Sequence, residues 1–330
     1  MMLPRAWIVL FLNGLILTAC ASPPRDDALL LARTGEQTTA AVQQNLQMLS
    51  TAALRQSELN AFLTTARTCR TRPDFCEPVT DSPELLEERH KFVQLIKLRT
   101  KALQELNNAY SAFRMEAEYD AESDLETALG ELSTSANAYA AVASVPLSAA
   151  FASLPRAGGL WARRRQKERL RAASELIGEA TKIMSAALER EEIVFTAFMR
   201  DWSRRESQMR ILLIEAGLSS RSDVLTPLLE DLGVDLVADS ERTISDDPAL
   251  TRAIEALAIA RAELRATSAV QAYAAAARAL ENLSEAHRRF DSLSTSDFDS
   301  VEAALAELAG AAEDIDAAIS ERPAAEELAQ

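Results

Sequence analysis

The chain predicts an all-α protein, an elongated antiparallel helical bundle built around a coiled-coil hairpin of long helices. Three observations carry that expectation. Ala, Leu, Glu and Arg dominate, while Gly is limited to 9, Pro to 11 and aromatic residues to 5% of 330 positions, a composition that favours helix. Apolar residues recur at spacings of three and four over windows far longer than a strand. Continuous β-branched alternation of the strand type is absent. The apolar stripes are thin and alanine-rich, so helices can approach closely, and about four or five long helices packed together would bury them.

A first helix is expected over 28–65, with a broken stripe through Leu31, Val42, Leu46, Leu49, Ala53 and Phe62. Pro73, Pro78 and Pro83 then mark a loop. Ser82-Pro83-Glu84 is a helix start: an N-cap acceptor, proline where its missing N–H costs nothing, and acid in the first turn. From 84 to 145 the stripe runs Phe92, Leu95, Leu103, Leu106, Tyr110, Phe113, Ala117, Ala121, Leu125, Leu129, Leu132, Ala136, Tyr139. Sustained for about seven heptads, it predicts one helix of about 90 Å at 1.5 Å per residue. Gly130 is its one weak point. A second long helix is expected over 160–216, through Leu170, Ile177, Met184, Leu188, Phe195, Phe198, Trp202 and Met209. Two such helices joined by a short link predict an antiparallel hairpin.

Gly217 is placed as a C-cap and 219–222 as a turn, followed by a short helix over 223–238 interrupted by Pro227 and Gly233. Asp247-Pro248 starts a helix to 293 by the same cap-and-proline logic. Ser296 with Asp299 in capping-box position starts a last helix, 296–320, through Val301, Leu305, Leu308, Ile315 and Ile319. Residues 321–330 read as a frayed acidic tail.

The link 138–161, AYAAVASVPLSAAFASLPRAGGLW, is the most apolar stretch outside the N-terminus. Trp161 and a basic collar follow at its end: Arg163, Arg164, Arg165, Lys167 and Arg169. An apolar tip beside basic residues and a Trp has the physical form of an interfacial membrane contact. The competing expectation is a buried connection whose arginines pair with glutamates of adjacent helices.

The chain opens on a basic start, Met1 to Arg5, an apolar run, Ala6 to Leu17, and then Leu17-Thr18-Ala19-Cys20. The run is too short to span a bilayer, which takes roughly 20 residues. This resembles the signal peptide (1–19) and lipobox of bacterial lipoproteins. The resemblance implies that Cys20 carries diacylglycerol and fatty acyl (palmitate) chains and becomes the first residue of the mature chain, with 20–27 as a tether. By likeness to enterobacterial lipoproteins, Ala21 rather than Asp after the cysteine implies the outer membrane, facing the periplasm. In that oxidising compartment the remaining pair, Cys69 and Cys76, is expected to form a disulfide closing the Pro-rich loop.

A formal charge of -15 argues against nucleic acid as a partner. HExxH, GxSxG, GxGxxG and a phosphate-binding glycine loop are absent. Glu87-x-x-His90 has ligand spacing, but a di-iron bundle needs the motif on two helices, and His287 has Ser284 where the acid would stand. Both histidines are therefore expected at surface or edge positions, with no metal and no cofactor. The aromatic positions Phe92, Tyr110, Phe113, Phe195, Phe198 and Trp202 are expected in the core. No buried polar residue is expected to fix helix register.

The expectation for function is a non-enzymatic, lipid-anchored helical protein of the cell envelope, acting as scaffold, spacer or assembly partner. Its expected partners are the membrane through Cys20, and other proteins or further copies along the helix faces. The alternative is a membrane-active protein using the 138–161 tip; over 84–217 it bears a loose likeness to the hairpins of α-helical pore-forming toxins, in architecture alone.

Overall fold

The computed structural model describes residues 25–78, 82–119, 121–146, 165–233 and 247–291, together with Ala306 and Gly310, both helical. Among the described residues every element is a helix, and the fold is all-α. The long elements are α1 (Arg25–Thr71), α2 (Pro83–Tyr119), α3 (Glu122–Val142), α4 (Gln166–Glu215), a short α5 (Arg221–Asp231) and α6 (Pro248–Asp291). A 3-10 turn, Pro73–Phe75, sits between α1 and α2. The expected helix over 296–320, apart from Ala306 and Gly310, and the tail 321–330 lie outside the described residues.

Side-chain pairs fix the direction of each helix. Arg25 donates to the Glu118 carbonyl and Glu36 pairs with Arg114 at 3.1 Å, so α1 and α2 are antiparallel. Glu116 pairs with Arg169, Arg99 with Glu191 and Phe92 with Phe198, so α2 and α4 are antiparallel. Ser174 meets His287, Ser185 donates to the Ala277 carbonyl and Glu206 pairs with Arg265, so α4 and α6 are antiparallel. The four long helices thus alternate in direction around one core. Arg25, Tyr119, Gln166 and Asp291 mark the lower end, and Thr71, Pro83, Glu215 and Pro248 the upper.

The 84–145 stretch is not one helix. Arg99 and Tyr139 both bind Glu191, although forty residues of straight helix would separate them by about 60 Å. The chain instead leaves helical geometry at Ala121 (φ -92°, ψ 57°) and folds α3 back along α2. Folding back lets the second half of the stripe, Leu125, Leu129, Leu132 and Tyr139, bury itself against the bundle. Gly130, the expected weak point, lies inside an unbroken α3 with open space around its Cα.

The expected hairpin of 84–145 with 160–216 is corrected in the same way. Arg169, near the start of α4, pairs with Glu122 at the start of α3, while Tyr139 reaches Glu191 far along α4. Helices α3 and α4 therefore run parallel and need a crossover. Ser144 accepts from Arg190, whereas Gln166 donates to the Glu116 carbonyl at 2.5 Å, anchor points about 36 Å apart along α4. The two helix ends on either side of the link are therefore not neighbours, and 147–164 lie outside the described residues.

Other boundaries shift for local reasons. Helix α1 starts at Arg25, inside the expected tether, and extends to Thr71. Pro227 does not interrupt α5: Ser220 and Asp223 form a capping box that starts the helix, which continues through the proline to Asp231. The turn then comes at Gly233, with φ +64°. Gly217 (φ +70°) ends α4 as expected.

The main core fills the lower half and middle of the bundle, with Tyr110, Tyr139, Tyr273 and Phe113 among its fully buried side chains. Two helix-interior glycines make room for it. A Cβ at Gly35 would lie 2.2 Å from the Tyr110 ring, and one at Gly178 would lie 2.7 Å from His287 Cβ. A separate small cluster at the upper end joins Ile214, Val224, Ile254 and Ala258.

Candidate functional site

The residues singled out in the sequence fall into three groups. Cys20, Trp161, Arg163 and Arg164 lie outside the described residues. Arg165 is exposed as the residue preceding α4, and Lys167 is half-buried in its first turn. Arg169 is not part of an exposed collar: it is 6% exposed, with Nε 2.9 Å from Glu116 Oε1 and Nη1 3.4 Å from Glu122 Oε2. It staples the α2–α3 turn to the foot of α4. A cation removed from water in this way needs its acids, so Arg169 is spoken for and cannot serve a membrane surface.

At the upper end Cys69 and Cys76 are bonded, with Cα atoms 4.3 Å apart, closing the loop between α1 and α2. Arg70, between them, reaches Glu215 at the top of α4 at 2.5 Å. These contacts hold the α1–α2 turn over the end of the bundle.

Between the two ends lie buried polar layers where an apolar core was expected. In the middle layer Glu191 accepts from Tyr139 at 2.6 Å, Tyr273 at 2.8 Å and Arg99 at 3.0 Å, so one carboxylate ties together α2, α3, α4 and α6. The Arg99 guanidinium also lies 5.8 Å from the Tyr273 ring centre, and Phe195 stacks on that ring at 4.2 Å. Burial, followed by the adjacent Glu191 charge, pushes both phenols up from their ordinary pKa. In the lower layer His287, expected at a surface, is 1% exposed and bridges Tyr110 (2.8 Å) and Ser174 (2.9 Å). Burial holds its imidazole neutral, with a pKa down at about 3. His90 is exposed on α2. Of the aromatic residues expected in the core, Tyr110 and Phe113 are fully buried and Phe195 nearly so, Phe198 and Trp202 pack half-buried against it, and Phe92, also half-buried, lies on Phe198.

A groove of about 870 Å³ runs along the upper halves of α4 and α6. Arg200, Arg204, Ser203 and Ser207 line it from α4, and Ile259, Glu263 and Val270 from α6. Arg204 is engaged by Asp201 at 2.6 Å. Among the described residues no cluster of three or more His, Cys, Asp or Glu has metal-binding geometry, and no helix is long and apolar enough to cross a membrane.

No protein-family model matches the chain, and no curated protein or solved structure matches it. The fold and the polar layers therefore stand on their own geometry. Sequence reasoning missed both layers because Glu191, Arg99 and His287 are spread over three helices and carry no motif. A signal did exist in Gly35 and Gly178: glycine inside a long helix costs about 1 kcal/mol against alanine and points to a close approach.

Proposed function

We propose that this chain is a lipid-anchored, non-enzymatic helical protein of the bacterial cell envelope, held through Cys20 at the outer membrane on its periplasmic side and acting as a scaffold, spacer or assembly partner. One observation carries the reading. Helix α1 begins at Arg25, directly behind the lipobox and the short stretch 21–24, and runs 47 residues to the disulfide turn. At 1.5 Å per residue that is about 70 Å, so an anchor at the lower end would hold the disulfide-closed end far from the lipid. A bundle tied by internal ion pairs is stiff enough to keep such a distance.

The membrane-active alternative has less support. Ala140 and Val145 belong to the core, Ser144 is bound by Arg190 partway up the bundle, and Arg169 is consumed by Glu116 and Glu122. Of that segment, residues 138–146 are therefore taken up by the bundle, and 147–161 lie outside the described residues.

Changing Cys20 to Ala tests the anchor: acyl labelling is lost and the protein leaves the membrane fraction, whereas unchanged membrane partition refutes it. Photo-crosslinkers at the exposed positions Gln104 and Glu189 test the scaffold, with discrete adducts in intact cells expected. Recovery of monomer alone under every growth condition counts against it.

A further inference from the structure

The outer face of the upper half, where α4 and α6 run side by side, carries groups that the bundle does not use. Ile259 is 41% exposed in the groove there, and Ile193, two turns below Arg200 on the same face of α4, is 81% exposed. Exposed apolar surface rimmed by polar residues marks a contact site. The rim is charged with opposite signs on the two helices: Arg200 and Arg204 stand on α4, Glu263 on α6, all three exposed. Among the described residues Arg200 and Glu263 have no ion-pair partner. Arg204 binds Asp201, but that carboxylate also holds Arg205 at 2.6 Å and Gln56 at 3.1 Å, so it stays satisfied if Arg204 turns away.

The register of the two helices decides what this face can meet. Phe195 stacks on Tyr273, and Glu206 pairs with Arg265. Arg204 therefore stands level with Glu263, and Arg200 with Thr267, to within about one turn. Two copies can join face to face about a twofold axis in two ways. An axis across the helices lays α4 on α4 and α6 on α6, setting arginine against arginine and Glu263 against Glu263. An axis along the helices lays α4 of each copy on α6 of the other, with Arg204 opposite Glu263 twice over. Charge favours the second arrangement and penalises the first.

We propose that the α4–α6 face is a parallel homodimer interface, joining a second copy of this chain through the Arg204–Glu263 pairing and the apolar groove. The proposal deepens the assembly-partner reading and rests on it at one point: copies anchored through Cys20 in one leaflet stand the same way up, which only the parallel arrangement allows. From Ile193 to Ile211 the face is about 27 Å long and, at two helices, about 20 Å wide. That offers roughly 540 Å² per copy, about 1,100 Å² in all, just above the ~1,000 Å² a specific interface needs. Such a dimer is weak in dilute solution and gains from tethering, which raises the effective concentration.

The test uses the full acylated chain on vesicles of phosphatidylethanolamine and phosphatidylglycerol, with two variants mixed in equal amounts, Arg200→Cys and Thr267→Cys. A short bismaleimide is expected to join one variant to the other and to give little of either homotypic adduct. Homotypic adducts through position 200 instead, or no adduct, overturn the proposal. Added to both variants, Arg204→Glu or Glu263→Arg alone is expected to lower the yield about tenfold or more, and the two together to restore it. An unchanged yield with either alone also overturns the pairing. Both positions are exposed on helix faces, and an unchanged denaturant midpoint confirms that each variant folds. Flotation of the same vesicles reads the anchor separately. Protein that floats without the mixed adduct keeps the anchor and loses the dimer. Protein left in solution loses the anchor, and its adducts, read there at high concentration, still decide the pairing.

Discussion

The lower and upper halves of this bundle use the same helices, α1, α2, α4 and α6, and differ in what fills the space between them. Below, α3 adds a fifth helix, and the wider cross-section takes Tyr110, Tyr139, Tyr273, Phe113 and Phe290 into one core. Above the end of α3 at Val142, α4 and α6 face each other through Ser203, Ser207, Ala258, Ala262 and Ala266, and a groove of about 870 Å³ runs beside them. Large side chains need helices held apart, and small ones draw two helices together. The folded-back α3 is thus what divides a thick, polar-tied base from a slim upper shaft.

The largest expected effect tests whether the base depends on its middle layer. Glu191→Ala leaves the buried Arg99 without its carboxylate, and loss of one partner of a buried pair costs about 3–5 kcal/mol. In the shaft Glu206→Ala breaks the half-exposed contacts to Arg265 and Arg210 and is expected to cost about 1 kcal/mol or less. Denaturant midpoints of the two variants compare the halves directly, and equal losses would erase the distinction. Next, Cys69→Ser with Cys76→Ser opens the loop at the upper end. Chain entropy for so short a loop predicts a loss of about 2–3 kcal/mol, read as a lower Tm in non-reducing buffer.

Two glycines sharpen the contrast between core and surface. Gly35→Ala drives a methyl into the Tyr110 ring and is expected to cost about 1–3 kcal/mol, as overpacking does. Gly130→Ala meets open space and is expected to stabilise by roughly 0.5–1 kcal/mol through helix propensity. Gains at both sites would mean that α1 does not seat against Tyr110.

Acid stability gives the smallest and most local effect. His287, depressed to about 3, contributes stability that is full above the unfolded value near 6.5 and is lost as pH falls toward 3. Asp291, raised to about 6, works in the opposite sense: its contribution is greatest below the unfolded value near 3.9 and is lost as pH rises toward 6. The two slopes oppose each other between about pH 4 and 6. Asp291→Asn removes one of them, so its Tm is expected to fall more steeply than wild type between pH 6 and 4. Parallel Tm profiles would show that Asp291 does not titrate in that range.

The helical class was legible because Ala, Leu and Glu at spacings of three and four admit little else, and the starts at Pro83 and Pro248 followed from cap chemistry. The break at Ala121 was hidden because Ala117, Ala121 and Leu125 keep their spacing across it, so periodicity continues where the backbone does not. Parallel α3 and α4 were hidden for a related reason: a stripe records which face is buried, never which neighbour buries it. For the collar residue Arg169 the competing expectation, pairing with glutamates of adjacent helices, holds; the sequence left both outcomes open because a run of basic residues looks alike whether solvated or paired, and its partners lie about fifty positions away. His287 and Glu191 have the same origin, since a buried polar layer is assembled by tertiary packing from residues ordinary in isolation.

The account rests most heavily on an upright bundle anchored at its lower end. Neutron reflectometry on a supported bilayer carrying the acylated protein measures the thickness of the protein layer directly. A layer about 70–80 Å deep, matching the length of α1 and α4, is the predicted result. A layer near 25 Å, the depth of helices lying flat, would contradict it, as would equal retention of the Cys20→Ala protein on the same surface.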